Sequence, residues 1–129
     1  MKAGESVPVW PPIAGTYAMR LTRDGVRVPV RIWFGLPVIA GEEQDRAPRW
    51  CVEIDGRADR WERDAESGYR CRVAIEVTRA WPYCAREPIA EPEYRYLLEH
   101  AAWARDHNPE HPKAKPREAV NFHTLAPRF

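Results

Sequence analysis

Residues 16–34 read TYAMRLTRDGVRVPVRIWF, and this stretch decides the fold. Tyr17, Met19 and Leu21 alternate with Thr16, Ala18, Arg20 and Thr22. Val26, Val28, Val30, Ile32 and Phe34 alternate with Arg27, Pro29, Arg31 and Trp33. A period of two marks a strand with one buried face. Between the two runs sits Asp24-Gly25, a preferred two-residue hairpin turn. With that turn Leu21 faces Val28, Met19 faces Val30 and Tyr17 faces Ile32, so the apolar faces coincide, and a one-residue slip would separate them. Pro29 then stands opposite Arg20 in a non-hydrogen-bonded pair. Its missing N–H points away from the first strand, which places the second strand at an edge or a bulge there. The outer face gathers Arg20, Arg27, Arg31 and Trp33.

Working outward, residues 1–13 hold Pro8, Pro11 and Pro12 around Val7, Val9 and Trp10, and read as an extended arm that Trp10 anchors. Residues 35–48 are a long loop with Gly35, Pro37, Gly41 and Pro48 and an acidic middle at Glu42, Glu43 and Asp45. Arg49 to Asp55 is a third strand with Trp50, Val52 and Ile54 on one face, and Asp55-Gly56 is a second turn signal. Residues 57–67 are highly charged, with Trp61 as their one large apolar group, and suit a short strand or an irregular loop. Tyr69 to Thr78 reads as a fourth strand with Tyr69, Cys71, Val73, Ile75 and Val77 on one face, ended by Trp81-Pro82. Its other face carries Arg70 and Arg72.

One helix is expected over Glu91 to His107. Pro92 suits its first turn, Glu91 and Glu93 complement the helix dipole, and Tyr94, Leu97, Leu98 and Ala101 recur at helical spacing. Asn108-Pro109 stops it. Residues 108–129 should run extended, with Val120, Phe122, Leu125 and Phe129 as docking points, of which Phe122, Leu125 and Phe129 are the tail candidates.

These elements predict an α+β domain over residues 14–107, flanked by the arm and the tail. A small bent antiparallel sheet or SH3-like barrel would bury Tyr17, Met19, Leu21, Val28, Val30, Ile32, Trp50, Val52, Ile54, Val73 and Ile75, with the single helix packed on it through Tyr94, Leu97, Leu98 and Ala101; whether the helix or the tail covers the arginine face stays open.

The chain has 129 residues, the size of one domain, and 20 basic against 19 acidic residues, so no overall field draws it to nucleic acid or anionic membrane. Its three cysteines, Cys51, Cys71 and Cys84, match no zinc or redox spacing, and read as thiols in a reducing cytoplasm. No apolar run suits a signal peptide or a membrane span. His107 and His111 have a ligand-like gap, but Asn108-Pro109 ends the helix between them, and no metal or other cofactor is expected. Neither a nucleophile with its base nor a glycine-rich phosphate loop is recognisable, which disfavours an enzyme.

The segments Met19-Arg20-Leu21, Val28 to Trp33, Asp45 to Trp50, Trp81-Pro82, Pro88 to Leu97, Trp103-Ala104-Arg105 and the terminal Pro127-Arg128-Phe129 resemble small phage and prophage proteins of proteobacteria. The resemblance runs from Gly15 onward, rests on no single diagnostic motif and carries no activity or site. Those proteins usually place a small polar cap ahead of the helix, where this chain has Ala90. The resemblance implies an accessory viral gene product. The leading expectation is a non-catalytic interaction protein whose partner is a host or phage protein, an inhibitor of a bacterial anti-phage defence complex in the anti-CRISPR manner. The alternative is an SH3-like nucleic-acid-binding module of phage DNA metabolism, working through Arg20, Arg27, Arg31, Trp33, Arg70 and Arg72.

Overall fold

The computed structural model describes residues 10–118. Three strands form the central antiparallel sheet in the order β1-β2-β5: β1 (Gly15–Arg20), β2 (Arg27–Gly35) and β5 (Arg49–Ile54). Between β2 and β5 the expected long loop folds into a minimal hairpin, β3 (Val38–Ile39) with β4 (Glu42–Glu43). A separate two-stranded ribbon, β6 (Asp59–Arg63) with β7 (Arg70–Ala74), follows. Two helices complete the body, α1 (Val77–Cys84) and α2 (Glu91–His107), and a 3-10 turn covers Pro112–Ala114. The architecture is small α+β with antiparallel sheets and two helices, and among the described residues the strands close no barrel.

The hairpin forms, but two residues out of the expected register. Met19 faces Val28, Tyr17 faces Val30, and Leu21 has no strand partner. Neither Asp24 nor Gly25 is left-handed, as a two-residue turn would need. Instead the Gly25 N–H donates to the Thr22 carbonyl at 3.0 Å, and Arg20 Nη1 donates to the Gly25 carbonyl at 2.5 Å. A Cβ on Gly25 would sit 2.8 Å from Thr22 Cγ2 and 3.0 Å from the Pro116 carbonyl, so a tight long-range contact sets this loop. A slip of two preserves which side each residue faces. Arg20, Arg27 and Arg31 therefore still share one side, and Tyr17, Val30 and Ile32 the other.

Pro29 faces Ala18, not Arg20. β2 is the central strand, but its pairing with β5 ends at Val30–Ile54, and beyond it the Asp55 N–H donates to the Pro29 carbonyl at 2.8 Å. The missing N–H thus falls where β5 turns away. That turn is the left-handed pair Asp55 (φ 51°) and Gly56 (φ 83°), with Ile54 and Arg57 exchanging both backbone hydrogen bonds. The other edge, β1, is closed by residues 87–89: the Ala18 N–H donates to Glu87, and the Ile89 N–H to Thr16, each at 3.0 Å.

The second correction concerns which helix covers which face. The apolar face of Tyr17, Val30, Ile32 and Val52 is packed by α1 through Val77, Ala80, Trp81 and Cys84. The alternation places Val77 on a strand and ends the strand region at Trp81-Pro82. Pro82 instead lies inside the helix, where burial of Trp81 outweighs the local penalty. α2 spans its expected residues and lies over the arginine side, one of the two covers left open for that face. Buried Ala18 and Pro29 leave room there, and Tyr94, Leu97, Ala101 and Ala104 are its buried positions. Cys71, expected in the core, is exposed because the ribbon stands away from the central sheet. Residues 108–118 are not extended; they turn and pack their 3-10 helix along α2. Trp10 is exposed and Pro12 buried, whereas Phe122, Leu125 and Phe129 lie outside the described residues.

Candidate anion-binding cleft

Arg20, Arg27, Arg31 and Trp33 are brought to one side of the central sheet, but the charges of Arg27 and Arg31 are already engaged. Arg27 Nε pairs with Glu87 at 2.9 Å, and its Nη1 with Glu93 at 3.4 Å. Arg31 Nη2 pairs with Glu91 at 2.6 Å, with its guanidinium carbon 4.5 Å from the Tyr94 ring centroid. The hydrogen bonds to Glu87 and Glu91 raise the proton affinity of both guanidinium groups. Arg20 is exposed but caps its own turn, and Trp33 is half-buried. Arg70 and Arg72 belong to the ribbon, so the six positions do not make one surface.

The concentration of basic groups lies elsewhere. A cleft of about 730 Å³ opens between the ribbon, the two helices and the 108–118 strap. Met19, Leu21, Ile54, Ile75 and Ala80 supply apolar lining, and Trp61 of β6 stands on the wall. Around them converge Arg57, Arg60, Arg72, Arg79 and Arg105, with Lys115 and Arg117 from the strap, against Asp55, Asp59 and Glu118. The local structure explains each placement. The left-handed Asp55-Gly56 turn aims Arg57 into the cleft, α1 contributes Arg79, the C-terminal turn of α2 contributes Arg105, and the 3-10 turn delivers the strap cations.

Several of these charges are neutralised within the protein. Arg105 pairs with Asp55 at 3.2 Å, Arg72 with Asp59 at 3.3 Å, Arg60 with Glu62 at 3.0 Å and Lys115 with Glu110 at 2.8 Å. Asp59 is further fixed by accepting the Ala40 N–H at 2.6 Å. Among the described residues no carboxylate lies within ion-pairing distance of Arg57, Arg79 or Arg117. Burial pushes the Asp55 carboxyl above its ordinary value, opposed by Arg105 and Arg57. Asp55 Oδ1 and Arg60 Nε are both buried with no hydrogen-bond partner among the described residues, so the cleft lining is polar as well as apolar.

On the ribbon, Trp61 is cross-strand from Arg72, and Arg63 from Arg70, so all four side chains share one face. The guanidinium carbons of Arg72 and Arg70 lie 4.7 and 5.4 Å from the Trp61 ring centroid. Trp61 keeps 49% of its surface in solvent.

Comparison with family models, with curated protein sequences and with solved structures finds no match to this chain. Its chemistry is therefore read from its own groups. Burial drives the Cys84 thiol up to about 12 and raises that of Cys51, so neither supplies a thiolate at neutral pH. Among the described residues no three His, Cys, Asp or Glu side chains are grouped to hold a metal ion, and no helix is long and apolar enough to cross a membrane. Chemically the cleft offers an anion three guanidinium groups that make no ion pair among the described residues, beside apolar surface, with Asp55 the carboxylate that Arg57 acts on.

Sequence reading included Arg72 but missed Arg57, Arg60, Arg79, Arg105, Lys115 and Arg117. They are scattered over 61 positions and meet only through tertiary folding. A signal was present at Asp55-Gly56-Arg57, and at Trp61, a lone aromatic in an alternating charged run.

Proposed function

We propose that the chain is a non-catalytic nucleic-acid-binding protein that seats a phosphate backbone in the basic cleft. The observation that carries this reading is the convergence on one cleft of Arg57, Arg79 and Arg117, none of which forms an ion pair with a carboxylate among the described residues. Guanidinium groups suit phosphate because their forked donors match its oxygens. The reading keeps the alternative expected from the sequence but moves it from the central sheet to the cleft. A cytoplasmic accessory role in phage DNA metabolism, as the resemblance implies, belongs to the same proposal.

Titration of a labelled oligonucleotide at several salt concentrations tests it. Three phosphate contacts give a log–log slope of roughly −2 for a single strand. The triple substitution Arg57→Ser, Arg79→Ser and Arg117→Ser should abolish most of that slope. Retention of the full slope in the triple variant would remove the cleft from the proposal.

A second reading has its own support. Tyr96 and Trp103 are exposed on the outer side of α2, where Trp103 stacks on His107 with ring centroids 5.2 Å apart. Exposed aromatics of this kind serve as protein-interface anchors, which fits a phage-derived inhibitor of a host defence complex. Trp103→Ala would then abolish protection of phage in a defended host while leaving oligonucleotide binding intact. Full protection by that variant would count against this reading.

A further inference from the structure

We infer that the nucleic acid taken by the cleft is single-stranded and that one of its bases stacks on Trp61. This rests on the nucleic-acid reading above and names the form of its ligand.

Three observations support it. First, the cleft pairs its arginines with apolar lining at Met19, Leu21, Ile54 and Ile75. A phosphate backbone alone has no use for such a surface, whereas the faces and edges of unpaired bases do. Second, Trp61 stands on the cleft wall, half-exposed, with Arg70 and Arg72 against its ring. A half-exposed aromatic ring accepts a base by stacking, and Arg70, which makes no ion pair among the described residues, meets the adjoining phosphate, Arg72 being paired with Asp59. Third, the ribbon is poorly suited to enter a duplex groove. The turn at its tip carries exposed Asp64 and Glu66, which would meet the phosphates first. Duplex binding would also keep the bases stacked on one another and away from Trp61.

The test uses the full chain and four fluorescein-labelled probes of equal length: oligo(dT), oligo(dA), an abasic strand with the same backbone, and a duplex. Anisotropy should rank both single strands above the abasic strand and the duplex. Trp61→Ala should weaken oligo(dT) binding by about 5- to 150-fold, the loss of one stacked base. It should leave abasic-strand binding and the salt slope unchanged, and Trp61→Phe should restore most of the affinity. Circular dichroism checks that the exposed-site variants are folded. If Trp61→Ala binds oligo(dT) like the parent protein, or if the abasic strand binds equally well, stacking is wrong while the cleft stands. If no probe binds at low salt, or the triple arginine variant binds undiminished, the cleft reading fails and takes this inference with it.

Discussion

Arg31 lies with its guanidinium carbon 4.5 Å from the centroid of the Tyr94 ring, while Tyr94 Oη donates to Glu53 at 3.0 Å. The two contacts join β2, β5 and α2, and they explain how an apolar helix face settles on the arginine side of a sheet. The arginine stem and the ring bury carbon, while Glu91 satisfies the charge. Tyr94→Phe should cost about 1.5 kcal/mol, the worth of a hydrogen bond to a carboxylate, and Tyr94→Ala about 3–5 kcal/mol for the lost ring. Arg31→Ala should cost about 1–2 kcal/mol, because its ion pair is partly exposed and its ring contact modest. Urea unfolding measures all three. None should weaken oligonucleotide binding under conditions where the protein is folded. A binding loss in folded Arg31→Ala would return the site to the central sheet.

The two Asp-Gly pairs predict losses of different physical origin. Gly56 has φ 83°, and an added Cβ meets only the movable Leu98 Cδ1 at 3.3 Å, so Gly56→Ala should cost about 1–2 kcal/mol through its left-handed backbone. Gly25 has an ordinary backbone, and Gly25→Ala should destabilise by collision with Thr22 and Pro116. Thr22→Ser removes the 2.8 Å obstacle and should recover part of the Gly25→Ala loss in the double variant. No recovery in thermal melts would show that the Pro116 contact dominates.

The same contrast explains how far the fold was legible. Strand alternation identified β1, β2 and β5 and their inward residues apart from Leu21, which lies beyond β1, because a two-residue register error leaves the pattern intact. Pro92, the dipole-matched charges, the apolar spacing and the Asn108-Pro109 stop located α2, although Ala90 gives its start no side-chain cap. What failed was set by long-range contact. The Gly25 loop is shaped partly by Pro116, and α1 is dictated by burial of Ala80, Trp81 and Cys84 against the sheet. Val77 sits in frame with both a strand continuing from Val73 and Ile75 and a helix continuing to Trp81 and Cys84, so local periodicity did not separate them. Of the cleft, only Arg72 was among the expected binding residues, because charge balance along a chain hides charge segregation in space.

α1 carries its own test at Pro82, which is exposed and lacks the N–H that the Thr78 carbonyl would otherwise accept. Pro82→Ala restores that bond and removes a helix-interior proline, so it should stabilise by about 1–3 kcal/mol. Denaturant midpoints give the answer. A destabilised variant would mean that the proline ring contributes packing that α1 needs.

The thiols should divide by burial. Cys71 is exposed, while Cys51 and Cys84 are buried, with Cys84 pushed up to about 12. At pH 8 a thiol reagent should modify one cysteine per native chain quickly and the other two only on unfolding. Cys71→Ser should eliminate the fast phase. Rapid labelling of more than one thiol would contradict the packing of α1 on the sheet.

The last prediction concerns acid. Burial raises the Asp55 carboxyl above its unfolded value, despite Arg105 and Arg57 nearby. A group with a raised folded pKa binds its proton more tightly in the native state. Its contribution therefore favours the fold below the unfolded pKa and is lost as pH rises through the folded one. Asp55→Asn keeps the shape and tolerates the left-handed backbone, but carries no charge to desolvate. The variant and the parent should have similar stability at low pH and diverge as pH approaches neutrality, with the asparagine form the more stable. Urea unfolding from mildly acidic to neutral pH distinguishes the possibilities. If the asparagine form is instead the weaker at neutral pH, the 3.2 Å pair with Arg105 outweighs the burial of the carboxylate. The net charge of the cleft also becomes more positive by one unit in that variant, so oligonucleotide affinity should rise with its stability.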